Sequence, residues 1–178
     1  MSDYSRSLQG RASRDNGNYF ENMILDAARI YEEKGIAVID KTPEPMKVLK
    51  PLDRGKGQFI CCFAKQAQPD FKGALMDATM ILFDAKHTDS DRISRKIVSE
   101  EQEQCFERYG KLGAMCFVVA SIGFEKYYRI PWVVFRDMKK IFGHQFMTEQ
   151  ELEAYEIKYS RGMLRFLDGL EVKIKEEQ

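Results

Sequence analysis

The sequence is poor in the residues that most often carry catalysis or staple a fold: 2 histidines, 4 cysteines and 1 tryptophan in 178 residues. Its charge is also balanced, with 28 basic side chains against 28 acidic ones, which argues against coating nucleic acid by bulk charge but allows a local basic patch. Cys61, Cys62, Cys105 and Cys116 match no zinc spacing and lie in or beside apolar runs, so they are expected to be reduced core residues. No apolar run approaches the roughly 20 residues of a membrane span, and residues 1–10 lack the apolar stretch of a signal peptide. The expected location is the cytoplasm, with no membrane partner. His87 and His144 stand without a serine or cysteine in a nucleophile-elbow context, and no glycine-rich phosphate loop or dinucleotide fingerprint occurs, so triad and nucleotide-loop chemistries lack support.

What is there suffices for a core. At this length a fold buries roughly 70% of its extended-chain surface, and 44% of the residues are hydrophobic. Residues 1–15 are polar, with Arg6, Arg11 and Arg14 and no periodicity, and read as a flexible N-terminal arm. From Asn18 onward Phe20, Met23, Ile24, Ala27, Ile30 and Tyr31 recur at helical spacing until Gly35. Residues 36–39 read as a strand. A projecting two-stranded stalk is expected over about 42–66, its strands at 46–49 and 59–63. Between 46 and 63, Lys47, Lys50, Arg54 and Lys56 stand against Asp53 alone, a charge density suited to phosphates; a soluble hairpin kept from edge pairing by its lysines is the alternative. Further strands are expected at 78–83, 114–120 and 124–130, and helices at 94–112, 132–142 and 149–159. The sum is an α/β fold, a central mixed sheet flanked by helices in one domain over 16–170, with a charged tail at 171–178.

The remaining candidates for chemistry are carboxylates and a metal. Asp70 follows Pro69 in a loop before a strand, and Asp84 closes the strand. Two acids converging there can hold Mg²⁺ through oxygen, with Mn²⁺ as an alternative ion. Asp84 and Lys86 are two apart in an extended chain and share a face, which places the ammonium beside the metal. The acid-x-Lys tripeptide alone is uninformative, since it also occurs at Glu32, Asp70, Asp137, Glu156 and Glu171; only the Asp84 copy ends an apolar strand with a Pro-Asp upstream. Asp77 is a rival ligand. Gln102 falls on the apolar stripe of its helix, where a buried amide needs a partner; it is either a satisfied core residue or one that orients a water or a ligand carboxylate. Glu21 is either a third acid at the metal or, three residues after Asn18, a capping-box partner.

These residues resemble the PD-(D/E)xK nuclease superfamily, and the surrounding text is similar to the RecU-type Holliday-junction resolvases. The blocks that carry the resemblance are Gly17-Asn18-Tyr19-Phe20-Glu21, Gly35-Ile36-Ala37-Val38-Ile39, the Pro-rich entry at 43–45, Phe63-Ala64-Lys65-Gln66-Ala67, Asp70-Phe71-Lys72-Gly73, Phe83-Asp84-Ala85-Lys86-His87-Thr88 and Cys116-Phe117-Val118-Val119, in that order. The resemblance implies a restriction-endonuclease-like fold and a homodimer whose stalk enters a four-way DNA junction. It implies two Mg²⁺-dependent sites, with Asp70 and Asp84 as metal ligands, Lys86 as the catalytic lysine and Gln102 and Glu21 in support. Lys47, Lys50, Arg54, Lys56, Lys65 and Gln66 would contact DNA, and recombinase or branch-migration proteins are implied partners. The second acid is Asp where the family usually has Glu. A flap or duplex-end nuclease and a non-catalytic junction-binding protein are the competing readings.

Overall fold

The structure, a computed structural model, describes residues 3–43, 45–63 and 68–170. In chain order it runs α1 (Asp3–Glu33), β1 (Ala37–Lys41), β2 (Met46–Asp53), β3 (Gln58–Phe63), β4 (Phe71–Leu75), β5 (Met80–Thr88), β6 (Arg92–Ser94), α2 (Glu100–Gly110), β7 (Met115–Ile122), β8 (Lys126–Pro131), α3 (Trp132–Arg136), α4 (Met138–Phe142), β9 (Phe146–Thr148), α5 (Glu149–Leu152), β10 (Tyr159–Ser160) and β11 (Met163–Leu164). The central sheet has 5 strands in the order β1-β4-β5-β7-β8. It is mixed, because β5 and β7 are parallel while every other neighbouring pair is antiparallel. Helices flank both faces, as the alternation of elements predicts. Among the described residues no helix is long and apolar enough to cross a membrane.

Alternation along the strands divides the core in two. Odd positions such as Phe71, Phe83, Ala85, Phe117 and Val119 pack under α1, whose stripe of Phe20, Ile24, Ala27, Ala28 and Tyr31 covers them. Even positions such as Leu82, Val118 and Ala120 pack under α2 and α3 with Phe106, Trp132 and Phe135. Phe71, Phe83 and Phe117 stack in a row across three strands, with ring centroids 4.9 Å apart at each step. A one-residue slip of any of these strands would turn the row out of the core, so the row fixes the register.

Several boundaries differ from the sequence reading. α1 begins at Asp3, not near Asn18, so residues 3–15 are helical although they carry no apolar stripe. The stripe reports which part of a helix is packed rather than where the helix starts. β4 was not expected. Gly73 interrupts its pattern, and a Cβ there would meet the Val38 carbonyl oxygen at 2.2 Å, so this strand approaches β1 only because the position has no side chain. Gly73→Ala is expected to cost about 3 kcal/mol in chemical denaturation and to loosen β1 first in amide exchange. The helix expected at 149–159 is one turn, α5, after which Ile157 N–H donates to the Tyr127 carbonyl and Tyr128 bridges Glu156; pairing with the β8 edge overrides helical spacing. Cys61 and Cys62 are exposed on β3, not core residues, while Cys105 is buried.

β2 and β3 form a separate two-stranded sheet. Its register shifts between Val48 and Lys50 and again between Pro51 and Asp53, where bulges accommodate a proline that has no N–H to donate. Lys47, Lys50, Arg54 and Lys56 are exposed on it. Asp53 accepts the backbone N–H groups of Gly55 and Lys56 at the tip, so it is held in the turn. Lys65, Gln66 and the tail at 171–178 lie outside the described residues.

Candidate active site

β4 and β5 form a hairpin with Phe71 opposite Phe83. One position outward, the same register sets Asp70 beside Asp84. Each acid is held by the other strand: Asp70 N–H donates to Asp84 Oδ1 at 3.2 Å and Ala85 N–H donates to Asp70 Oδ2 at 3.0 Å. Thr42, which the sequence reading did not single out, fixes the loop from the β1 side by donating its N–H to the Asp70 carbonyl at 2.8 Å. Asp77 lies at the opposite end of this hairpin, where it accepts the Thr79 N–H at 2.9 Å. With roughly 3.3 Å of rise per residue it is a whole strand length from Asp84, so it is no rival ligand.

Asp84 is in the middle of β5 rather than at its end, and it is fully buried. Lys86 follows on the same face. Its Nζ is 2.6 Å from Asp84 Oδ2 and 3.9 Å from Asp70 Oδ2. Gln102 reaches the same carboxylate from α2, donating from Nε2 to Asp84 Oδ1 at 2.9 Å. Its other amide atom is engaged as well: Oε1 accepts the Ser99 N–H at 3.1 Å in a capping box that starts α2. Gln102 is thus a satisfied buried amide, and the same amide fixes the Asp84 carboxylate. Glu21 projects from α1 and pairs with Lys41 Nζ at 2.5 Å. It lies mid-helix, so the capping role with Asn18 is excluded. Lys41, at the end of β1, was not foreseen; a charged residue closing an edge strand gives no signal that separates it from solvent-facing neighbours.

The electrostatics follow from burial. Desolvation, then the charge of Asp84 and a hydrogen bond shared with it, push the Asp70 carboxyl up to about 7, against the opposing pull of Lys86 and the Ala85 N–H. For Lys86 burial acts to lower the pKa, but Asp84, Asp70 and Glu21 outweigh it and the net shift is upward. Lys86 is thus a fixed cation at neutral pH rather than a base. Among the described residues Lys86 lies against both acids, and burial beside Asp84 makes ionisation of Asp70 difficult. Asp84 Oδ2, although close to Lys86, makes no hydrogen bond of regular geometry. Hard carboxylate oxygens and, at Asp84 Oδ2, an acceptor without a directed donor fit a divalent cation. Among the described residues no group of three or more His, Cys, Asp or Glu side chains could hold a metal, so water or substrate oxygens would complete such a site. A cleft of about 520 Å³ lined by Arg129, Glu156 and Arg165 is apart from these acids, at the β8 edge of the sheet.

An α/β sheet that presents paired carboxylates and a lysine on one hairpin offers a donor set suited, as a class, to phosphodiester chemistry. The chain matches the family Recombination protein U (RecU) over residues 15–173 and belongs to it; members of this family are nucleases that cleave Holliday junctions. Among solved structures it is similar to Hjc of Archaeoglobus fulgidus, a Holliday junction resolvase from an archaeal hyperthermophile, at 11% identity and a TM-score of 0.49 over 78% of this chain and 93% of that one. No curated protein matches the chain.

Proposed function

We propose that this chain resolves four-way DNA junctions as a divalent-metal-dependent endonuclease, acting as a homodimer in the cytoplasm. The observation that carries the reading is the convergence of Asp70, Asp84 and Lys86 on one hairpin of a RecU-family chain. Asp70 and Asp84 would hold Mg²⁺, with Mn²⁺ as a substitute. A cation bound there polarises a phosphodiester and acidifies a water. Lys86, kept protonated by the acids around it, neutralises charge that builds on the phosphate during attack. Gln102 keeps Asp84 in one rotamer, with Oδ2 turned toward Lys86. Glu21 adds negative charge at the rim and supports the protonated state of Lys86.

The exposed two-stranded sheet suits the role of a stalk. Lys47, Lys50, Arg54 and Lys56 give a basic surface on a thin element, where recognition of a branch point needs reach more than area. A junction has approximate two-fold symmetry and requires two matched cuts, which an isologous dimer provides. The deciding experiment compares synthetic four-way, flap and linear duplex substrates with Mg²⁺. Paired nicks in the four-way junction support the reading; preferred cutting of flaps or ends replaces it with another nuclease activity, and binding without any cutting replaces it with a junction-binding role.

Metal dependence has a proton signature. The Asp70 carboxyl, ordinarily at 3.8, is raised to about 7 in the folded chain. Between those values the native state holds more protons than the unfolded one, so metal-free stability falls as pH rises through that window. A divalent cation displaces the proton and reverses the loss. The rise in Tm on adding Mg²⁺ is therefore expected to be larger at pH 8 than at pH 5.5 in differential scanning calorimetry, with proton release on binding at pH 6.

A further inference from the structure

The two faces of the central sheet are covered unequally. Under α1 the strands β1, β4, β5 and β7 each contribute buried residues, among them Ala37, Ile39, Phe71, Leu75, Phe83 and Phe117. On the opposite face the core begins only at β5, with Leu82, Val118, Ala120 and Ile130 beneath α2 and α3. There the outward positions of β1 and β4, namely Val38, Asp40, Lys72 and Ala74, are exposed. Asp84 and Lys86 share this face, with Asp70 beside them, on the line between its covered and bare halves. Gln102 of α2 touches Asp84 from the covered side, so a long molecule reaching the acids has its open approach across the bare half.

Lys72 lies on that floor. It is two residues from Asp70 along the chain and on the same side of the sheet, roughly 7 Å away along the strand. Asp40 is its partner in the β1–β4 register, yet no ion pair forms between them, and among the described residues Lys72 engages no acid. An exposed ammonium beside an acid pair, on an otherwise bare and shallow floor, is suited to a backbone phosphate.

We infer that the bare half of the sheet is the seat of the DNA strand running to the cleavage point, with Lys72 holding a phosphate adjacent to the one that meets Asp70 and Asp84. The inference rests on the nuclease reading above and adds to it the path of the substrate. Asp40 repels the strand from the β1 edge and so keeps it over β4.

The test measures binding of a synthetic four-way junction by fluorescence anisotropy across a salt series, in EDTA, for the full chain and for Lys72→Gln, Lys72→Arg, Asp40→Asn and Lys140→Gln. Lys140 is exposed on α4 and serves as a control for charge alone. Loss of one phosphate contact flattens the slope of log K against log salt by about one. That flattening is expected for Lys72→Gln, with the slope restored in Lys72→Arg, unchanged in Lys140→Gln, and with tighter binding in Asp40→Asn. Cleavage under Mg²⁺ is expected to show a raised KM for Lys72→Gln. Equal slopes for wild type and Lys72→Gln, or the same loss in Lys140→Gln, overturn the inference. A wild type that binds but never cuts with Mg²⁺ or Mn²⁺ overturns the nuclease reading instead, and the slopes still decide Lys72.

Discussion

Asp84→Asn is expected to abolish junction cleavage, lowering the rate about a thousandfold or more, while junction binding stays intact or tightens. The carboxylate is buried, holds the Asp70 N–H and Gln102, and faces Lys86 at 2.6 Å. An asparagine of the same shape retains an oxygen for the first two contacts but loses the charge that would hold a cation. Metal polarisation supplies several kcal/mol to phosphodiester attack, and each 1.36 kcal/mol is worth about tenfold in rate. Removing one negative charge near bound phosphate favours binding. Gel-resolved cleavage of a labelled junction alongside anisotropy binding checks both arms, and a variant that cuts at the wild-type rate removes Asp84 from the chemistry.

Lys86→Met should give the second large effect, and it should appear in stability as well as activity. The side chain is 23% exposed and lies between two carboxylates that are more buried still. Removing a buried partner leaves uncompensated charge, with a cost of about 3 kcal/mol. The loss is expected to be greatest at pH 8 and smaller at pH 5.5, where Asp70 holds its proton. Mg²⁺ should recover much of the stability, because a divalent cation can replace the ammonium between the acids, but should not recover cleavage. Urea denaturation at the two pH values with and without Mg²⁺ tests this; a loss independent of pH would mean that Lys86 acts through packing of its methylenes.

How far the sequence discloses this site depends on the kind of constraint. Asp84 and Lys86 are legible because strand alternation puts positions two apart on one face whatever else the chain does. Gln102 is legible as a polar residue on an apolar stripe. Asp77 could be set aside only through register, since spacing along the chain does not say at which end of a hairpin a residue falls. Thr42 and Lys41 act through a backbone donor and a rim ion pair, and neither leaves a mark on hydropathy. In the fold, the apolar strands β5 and β7 announce themselves, whereas β4 is concealed by Gly73, whose necessity exists only against the carbonyl of Val38. Cys61 and Cys62 were misplaced because β3 is apolar in composition yet exposed, as on a thin two-stranded sheet with no third layer.

The stacked phenylalanines have a consequence for how this protein can vary. Phe71 follows Asp70 and Phe83 precedes Asp84, so each acid is one peptide unit from a ring locked into its neighbour. Greasy packing serves as the ruler for the charged groups. Drift in the interior is therefore transmitted to the reaction centre within a single residue, and a lineage free to repack elsewhere in its core has little freedom along this line. Descendants that retain the rings inherit the alignment of their carboxylates without separate selection for it.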